Sequence, residues 1–194
     1  MTAETAGYPV QFEVDDAMEQ NRLSILFRWL LVIPHAIILS FLGVAAGIVV
    51  VLAWFTILFA GRFPEALLRF TTGYSRWAAR ANAYGSLLTG AYPPFSMEEE
   101  PDYPVRLVIR QQTVGRNRLT TFFRWILSIP HIIVLNLLGI VAGFVMLAAW
   151  LAGVVLGRVP AGLHSFLVGF TAWTERVSAY SYLLVDDYPP FSFE

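Results

Sequence analysis

The chain has 194 residues, of which 57% are hydrophobic and only 14% are charged, and its formal net charge is −1. Soluble domains contain about 45–50% apolar and about 25% charged residues, so this composition predicts a membrane protein. A net charge near zero gives no argument for a nucleic-acid partner. The sequence contains no cysteine, which excludes disulfides, thiolate catalysis and zinc sites with sulfur ligands.

The sequence repeats itself after 96 residues, without a gap over most of each copy. Such self-similarity at a fixed period identifies tandem structural units. Residues that are identical in both copies are mostly glycine, proline, tryptophan, arginine and tyrosine, whereas the aliphatic residues interchange. The matching short motifs begin at equivalent positions: Phe27 and Phe123, Ile33 and Ile129, Gly61 and Gly157, Tyr92 and Tyr188.

We therefore divide the chain into two membrane repeat units joined by an acidic linker. Unit 1 covers residues 1–97, the linker covers residues 98–102, and unit 2 covers residues 103–194. We expect pseudo-two-fold symmetry between the units, about an axis along the membrane normal. An inverted second unit would reverse its arginine bias, and the bias is not reversed.

Each unit opens with a segment in which apolar and polar residues alternate. Val10, Phe12 and Val14 would face one side, a period typical of a half-buried strand. The outward side of this segment is acidic in unit 1, whereas unit 2 places Arg106 and Arg110 there. If the two strands lie side by side, opposite charges face each other across the pair. We expect them to form a small sheet on the cytoplasmic side.

A long block without formal charge follows in each unit, at residues 29–60 and 125–156. A single span needs about 20 residues, so each block is either one long tilted helix or a hairpin of two short helices. Arginines precede and follow each block, and only a hairpin places all of them on one side, as the positive-inside bias prefers. The sequence therefore favours a short membrane hairpin that turns near Gly43, with both termini in the cytoplasm.

After the block, Gly61 is expected to end a helix and Pro64 to begin the next one. In that next helix, apolar residues recur at alternating spacings of three and four: Leu67, Phe70, Tyr74, Trp77, Ala81, Tyr84 and Leu88. An apolar stripe opposite arginines is typical of an amphipathic helix in the membrane interface. The alternative is that the stripe packs on the strands of the protein and never meets lipid.

Each unit closes with Tyr-Pro-Pro-Phe-Ser, at residues 92–96 and 188–192. Two consecutive prolines prevent a helix or a central strand, so this segment is predicted to be an extended strap. Together the elements predict a mostly helical α+β membrane protein. Each unit would contain a strand, a membrane hairpin, an interfacial helix and a strap.

These residues resemble a bacterial membrane domain of unknown function numbered 4389, which is common in actinobacteria. The resemblance is carried by Tyr-Pro-Val, Phe-Arg-Trp, Ile-Pro-His, Gly-Arg-x-Pro and Tyr-Pro-Pro-Phe, and each motif occurs twice. It covers nearly the whole chain. It implies a protein of the bacterial plasma membrane and supplies no activity, cofactor or catalytic residue.

His35 and His131 are the first candidates for a functional role, because each lies inside an apolar block. An ionisable group within a membrane is a functional hypothesis by default. The alternative is that each histidine lies near the interface and bonds a carbonyl that the adjacent proline has freed. Neither block contains Asp, Glu or Cys, so no metal site and no proton relay are expected.

Arg28, Arg62, Arg124 and Arg158 flank the two blocks on what the hairpin makes the same side of the membrane. Together they could form a pocket for anionic lipid headgroups. The alternative is that they only anchor the topology.

No catalytic or cofactor constellation occurs in the sequence, and we expect no enzyme. The leading hypothesis is an accessory or scaffold subunit that binds another membrane protein. A second hypothesis is a protein that binds anionic lipids or shapes the bilayer. A homo-oligomeric channel or transporter is the third and weakest, because the apolar blocks offer almost no polar lining.

Overall fold

The computed structural model describes residues 7–15 and 19–193, so residues 1–6 and 16–18 of unit 1 and the last residue of unit 2 lie outside it. The described residues are mostly helical, with a two-stranded sheet and two repeated units. The elements follow one another as β1 (Val10–Val14), α1 (Arg22–Leu26), α2 (Arg28–Ala60), α3 (Glu65–Gly85), β2 (Val105–Ile109), α4 (Arg118–Phe122), α5 (Arg124–Leu156) and α6 (Ala161–Ser181).

Each apolar block forms one continuous helix, so the predicted hairpin is wrong. The helix α2 has 33 residues and continues through Pro34 and Gly43, and α5 repeats this length. At Gly43, an added Cβ would lie 3.0 Å from the hydroxyl oxygen of Tyr74 in α3. This glycine therefore permits close packing against α3 and does not make a turn. At a rise of about 1.5 Å per residue, each long helix is about 50 Å long.

The predicted end of the long helices is confirmed. Gly61 and Gly157 follow α2 and α5 in the left-handed conformation, with φ of 68° and 73°. Glycine adopts this conformation without the steric penalty that a side chain brings. Pro64 and Pro160 then stand directly before α3 and α6, so each unit folds back along its own long helix.

The strands β1 and β2 pair in antiparallel register, with Phe12 opposite Leu107 and Glu13 opposite Arg106. The guanidinium of Arg106 bonds the carboxylates of Glu13 at 3.2 Å and Asp15 at 2.8 Å. The expectation that opposite charges face each other across the pair is thus confirmed. Because these ion pairs are partly exposed, we expect them to add little to the free energy of unfolding and mainly to fix the register between β1 and β2.

Two tryptophan pairs show that α2 and α5 run antiparallel. Trp29 at the start of α2 stacks on Trp150 near the end of α5, and Trp54 near the end of α2 stacks on Trp125 at the start of α5. Both ring centroid distances are 5.9 Å. A two-fold axis that exchanges two antiparallel helices is perpendicular to both and passes between them, so the pseudo-two-fold axis lies between α2 and α5 near mid-length.

The structure has three layers stacked along this axis. The helices α2 and α5 form the first layer, and α3 and α6 pack on them as the second. The sheet is the third, where β2 packs against α3 and β1 packs against α6. Because the strand pair is centred on the same axis as the long helices, the sheet lies across the middle of their length.

The buried apolar residues form two equivalent cores, and each core draws on both units. One combines the second half of α2, including Ala53 and Ile57, with Leu183 and Leu184 after α6. The other combines Ala149 of α5 with α1 and the end of α3. Neither unit buries an apolar core from its own residues alone, so we expect the two units to fold together.

The apolar stripe of α3 faces protein, which corrects the predicted interfacial helix. Trp77 and Tyr84 are buried, and the stripe packs on the long helix of the same unit. The opposite side of α3 lies under β2. Arg80, expected on the outer side, is 4% exposed and donates to the carbonyls of Ser96 and Glu98. A helix in the middle layer is covered on two opposite sides. The apolar stripe in the sequence indicates only one of these two buried sides.

Two glycines of α5 test the packing between units. A Cβ on Gly153 would lie 3.0 Å from the Ile25 side chain of α1, whereas Gly143 has open space. We expect Gly153→Val to lower the free energy of unfolding by about 1–3 kcal/mol, because it overpacks this contact. Gly143→Val should preserve or raise it, since valine is the better helix former. Thermal unfolding in detergent measures both, and equal losses would contradict the interlocked packing.

Candidate functional site

The six candidate residues from the sequence do not meet in one place. Four of them are fully buried within the long helices: Arg28, His35, Arg124 and His131. The other two, Arg62 and Arg158, are exposed beyond the C-terminal ends of α2 and α5. The structure therefore does not bring the four arginines together as one pocket.

Arg28 holds the end of α3 against the start of α2. Its Nη1 donates to the carbonyls of Tyr84 at 3.2 Å and Thr89 at 2.7 Å, and its Nη2 donates to the side chain of Gln20 at 2.6 Å. The guanidinium lies 3.9 Å from the centre of the Tyr84 ring. Carbonyls at a helix C-terminus lack partners within the helix, and a cation there satisfies them. Both terminal nitrogens of Arg28 are thus engaged inside the protein.

His35 forms a hydrogen bond with Trp77, which corrects the alternative that it bonds a carbonyl freed by the adjacent proline. The indole Nε1 of Trp77 donates to Nδ1 of His35 at 3.0 Å, so a neutral imidazole carries its proton on Nε2. The ring of Phe95, from the Tyr-Pro-Pro-Phe strap, stacks on the imidazole at 3.9 Å between centroids. Tyr92 of the same strap bonds the carbonyl of Leu31. The histidine therefore joins α2, α3 and the strap in one cluster.

Unit 2 repeats this cluster, with Trp173 bonded to His131 at 3.2 Å and Phe191 stacked on the imidazole. The arginine site differs between the units. In unit 2, Arg124 and Arg116 both donate to Asp186, at 2.6 Å and 2.8 Å. In unit 1, at positions 96 residues earlier, Gln20 stands in place of Arg116 and Gly90 in place of Asp186. The same place in the fold is thus satisfied by an ion triad once and by neutral acceptors once.

The guanidiniums of Arg28 and Arg124 and the imidazoles of His35 and His131 are fully buried in these clusters. In the described ranges, no group of three or more His, Cys, Asp or Glu side chains is placed to hold a metal ion. The guanidiniums and imidazoles lie under the rings of the straps and the carbonyls of α3 and α6. A substrate could not reach these groups without displacing a strap.

Four exposed arginines form two pairs, one at the turn after each long helix, and each pair combines both units. Arg118 of α4 lies over the turn after α2, with its Nη2 3.2 Å from where a Cβ on Gly61 would be, and Arg62 is the next residue of that turn. Arg22 of α1 lies in the same way over Gly157, which Arg158 follows. We call these the arginine pairs. Sequence spacing could not indicate them, because their members come from different units.

Glu175 is a buried carboxyl that the sequence patterns did not indicate. It lies in α6 where this helix meets α3, is 6% exposed, and shares a hydrogen bond with the side chain of Asn82. Burial raises the pKa of Glu175 to about 7, and the bond with Asn82 opposes this rise. Its equivalent in unit 1 is Ala79. The only signal for it in the sequence is that it is the sole carboxylate of α6.

A groove of about 560 Å³ lies between α5 and α6. Ile140, Phe170 and Val177 line it with apolar surface, and Thr174 and Ser178 add hydroxyl groups. Its lining contains no charged residue. This mostly apolar arrangement suits an amphiphile or an apolar segment.

Comparison with known proteins yields one family. A family model described as Domain of unknown function (DUF4389) matches residues 22–97 and again residues 118–192. The two matches coincide with the long helix, the middle-layer helix and the strap of each unit, and they leave out the strands. No curated protein and no solved structure matches the chain.

The bond between Trp77 and His35 is expected to stabilise the fold. Trp77→Phe removes the indole donor and leaves Nδ1 of buried His35 unpaired, so the free energy of unfolding should fall by about 1–3 kcal/mol. Trp29→Phe is the control, because Trp29 is half-exposed and stacks without such a bond. Chemical unfolding in detergent measures both. The double variant Trp77→Phe, His35→Phe should lose less than the sum of its single variants, and additive losses would contradict the bond.

Glu175 predicts a pH dependence of stability. Its folded-state pKa of about 7 exceeds the ordinary value, so its contribution is complete below about pH 4.5 and is lost as pH rises towards 7. Glu175→Gln should remove that loss, which is on the order of 3 kcal/mol. Glu65→Gln, at an exposed site, should retain it. The melting temperatures of the three proteins, measured from pH 4.5 to 8, test this prediction. If the melting temperatures of Glu175→Gln and the natural chain change with pH in parallel, Glu175 is not the source of the pH dependence.

Proposed function

The chain belongs to this family of unknown function, which assigns no activity, and we propose that it is a non-enzymatic protein that binds and shapes anionic bilayers. The proposal refines the second hypothesis from the sequence. It is supported by the apolar outer face of α2 and α5 and by the arginine pairs beside it. Membrane binding is proposed for the protein as a folded whole, since both units share each core.

The outer face of the long helices carries the proposal. Both helices are long and apolar enough to cross a membrane by length and composition, and few residues of these stretches are buried within the protein. Large apolar side chains are exposed along the full length of α2: Leu30, Ile33, Ile37, Phe41, Val44, Ile48, Val51, Phe55 and Phe59. The helix α5 exposes an equivalent row. Soluble monomers rarely expose contiguous apolar patches above a few hundred Å², and larger ones mark contact with protein or membrane.

Lipid fits this face better than water does, because charge is absent from it. After Arg28 and Arg124, whose guanidiniums point into the protein, neither long helix contains a charged residue. Exposed charges lie in the layer of the sheet and at the ends of the molecule. The face therefore buries apolar surface in a bilayer without desolvating an ion.

The arginine pairs lie where this face ends, and we propose that they bind lipid phosphate. Leu119 and Leu23 are both strongly exposed next to Arg118 and Arg22. None of the four paired arginines forms an ion pair with another described residue. Arginine presents a planar fork that grips phosphate through two hydrogen bonds, and arginines at the edge of an apolar face meet the headgroup region of a membrane.

The arginine pairs predict a preference for anionic lipid. We expect the variant with Arg62→Gln and Arg118→Gln to bind vesicles of phosphatidylcholine with phosphatidylglycerol more weakly, by about tenfold, while binding to pure phosphatidylcholine stays the same. Vesicle flotation at several salt concentrations measures this. Arg69→Gln with Arg110→Gln is the matched control, because both residues are exposed away from the apolar face. Equal losses in both double variants would assign the effect to net charge alone.

The accessory-subunit hypothesis is favoured by one observation, the groove between α5 and α6. Its apolar and hydroxyl lining borders the outer face, so a transmembrane helix of another protein could lie in it. Gentle extraction from native membranes with mass determination of the particle separates the two functions. A stoichiometric second protein supports the accessory role, whereas bound anionic lipid alone supports lipid binding.

The channel hypothesis is not supported by the outer face, because the exposed side chains of that face are apolar and could not line a polar pore.

A further inference from the structure

The length of α2 and α5 does not suit a simple crossing of the bilayer. Each has 33 residues and spans about 50 Å, whereas the hydrocarbon core is about 30 Å thick. To keep its apolar length within the core, a crossing helix would have to tilt by about 50°, beyond the range of about 0–40° that spanning helices show. Length alone therefore disfavours a crossing.

The position of the sheet is the stronger constraint. The pseudo-two-fold axis places β1 and β2 across the middle of the long helices. If those helices crossed the membrane, the sheet would lie at the depth of the bilayer centre. Glu13, Asp15 and Arg106 sit on that sheet with about a third to a half of each side chain exposed. Charged groups exposed to hydrocarbon at that depth are strongly disfavoured.

We infer that the protein lies in one leaflet, with α2 and α5 parallel to the membrane plane and the pseudo-two-fold axis along the membrane normal. This inference rests on the proposed membrane binding and adds its geometry. The first layer enters the acyl region, α3 and α6 lie above it, and the sheet faces water. The partner is thus the outer part of a single leaflet, and none of the elements from β1 to α6 reaches the other side.

The rim of the apolar face agrees with this orientation. Trp29 and Trp125 are exposed at the starts of the long helices, and Tyr92 and Tyr188 of the straps are exposed beside them. Tryptophan and tyrosine concentrate at membrane–water interfaces, where one end of the ring system is apolar and the other is polar. Both arginine pairs then meet headgroups of the same leaflet, although they lie at opposite ends of the molecule.

The absence of cysteine allows a direct test with single-cysteine variants of the full chain. Glu19→Cys and Glu65→Cys place a thiol near the start and beyond the end of α2, Val108→Cys places one on the outer side of the sheet, and Val44→Cys places one in the middle of the apolar face. All four residues are exposed at the protein surface. Each variant is treated with a membrane-impermeant maleimide in spheroplasts and in inverted membrane vesicles, with the natural chain as the blank.

If the protein lies in one leaflet, the thiols at positions 19, 65 and 108 are labelled in the same preparation and protected in the other. The thiol at position 44 is protected in both until detergent is added. Labelling of Glu19→Cys and Glu65→Cys from opposite sides would overturn the orientation and leave lipid binding intact. Recovery of all variants in the soluble fraction, with none in the sedimented membranes at low salt, would instead reject the membrane binding on which the inference rests.

Discussion

The shared cores of the two units are the constraint on which the rest of the structure depends. The second half of each long helix packs on residues of the other unit, and Trp54 and Trp150 each donate to a backbone carbonyl of the other unit, at Thr121 and Ile25. These contacts set α2 and α5 antiparallel. The antiparallel arrangement in turn places both apolar outer faces on one side of the molecule and the sheet on the other. An amphipathic slab results, which a single unit could not form.

The repeated motifs are explained by one cluster in each unit. His35, Trp77 and Phe95 come from three segments and converge within hydrogen-bond or stacking distance. Arg28 is linked to them through the neighbouring rings of Tyr84 and Tyr92. The identity of these residues in both copies reflects structural roles, because each guanidinium and imidazole has specific partners of fixed size and direction. Divergence is found where the partner can change as well, as in the replacement of Asp186 by Gly90 together with Arg116 by Gln20. The arginine site carries one net positive charge in each unit, from Arg28 alone in unit 1 and from two arginines and Asp186 in unit 2.

The arginine pattern predicts a hairpin that the structure does not form. The premise of that prediction, that the arginines lie on one side of the membrane, is compatible with the structure. A hairpin would put every arginine on one side of the membrane. A single helix parallel to the membrane plane, as inferred above, does the same for Arg62 and Arg158 without any turn. Gly43 resembled a turn residue, yet the neighbouring Tyr74 explains its small size by packing. Local patterns cannot distinguish a glycine needed for a turn from one needed for a neighbour, because the neighbour is distant in sequence.

The sequence by itself determined the two units, both strands, the glycine helix ends and the apolar character of the long blocks, because periodicity, backbone preference and composition act locally. It also indicated the opposing charges of β1 and β2. Only the tertiary structure decided the partners of His35 and Arg28, the pairing of Arg62 with Arg118, and the burial of Glu175. Each of these depends on which helices pack against each other, within a unit or between the two units. That packing is determined by contacts between side chains that are distant in sequence, and the spacing of residues along the chain does not reveal it.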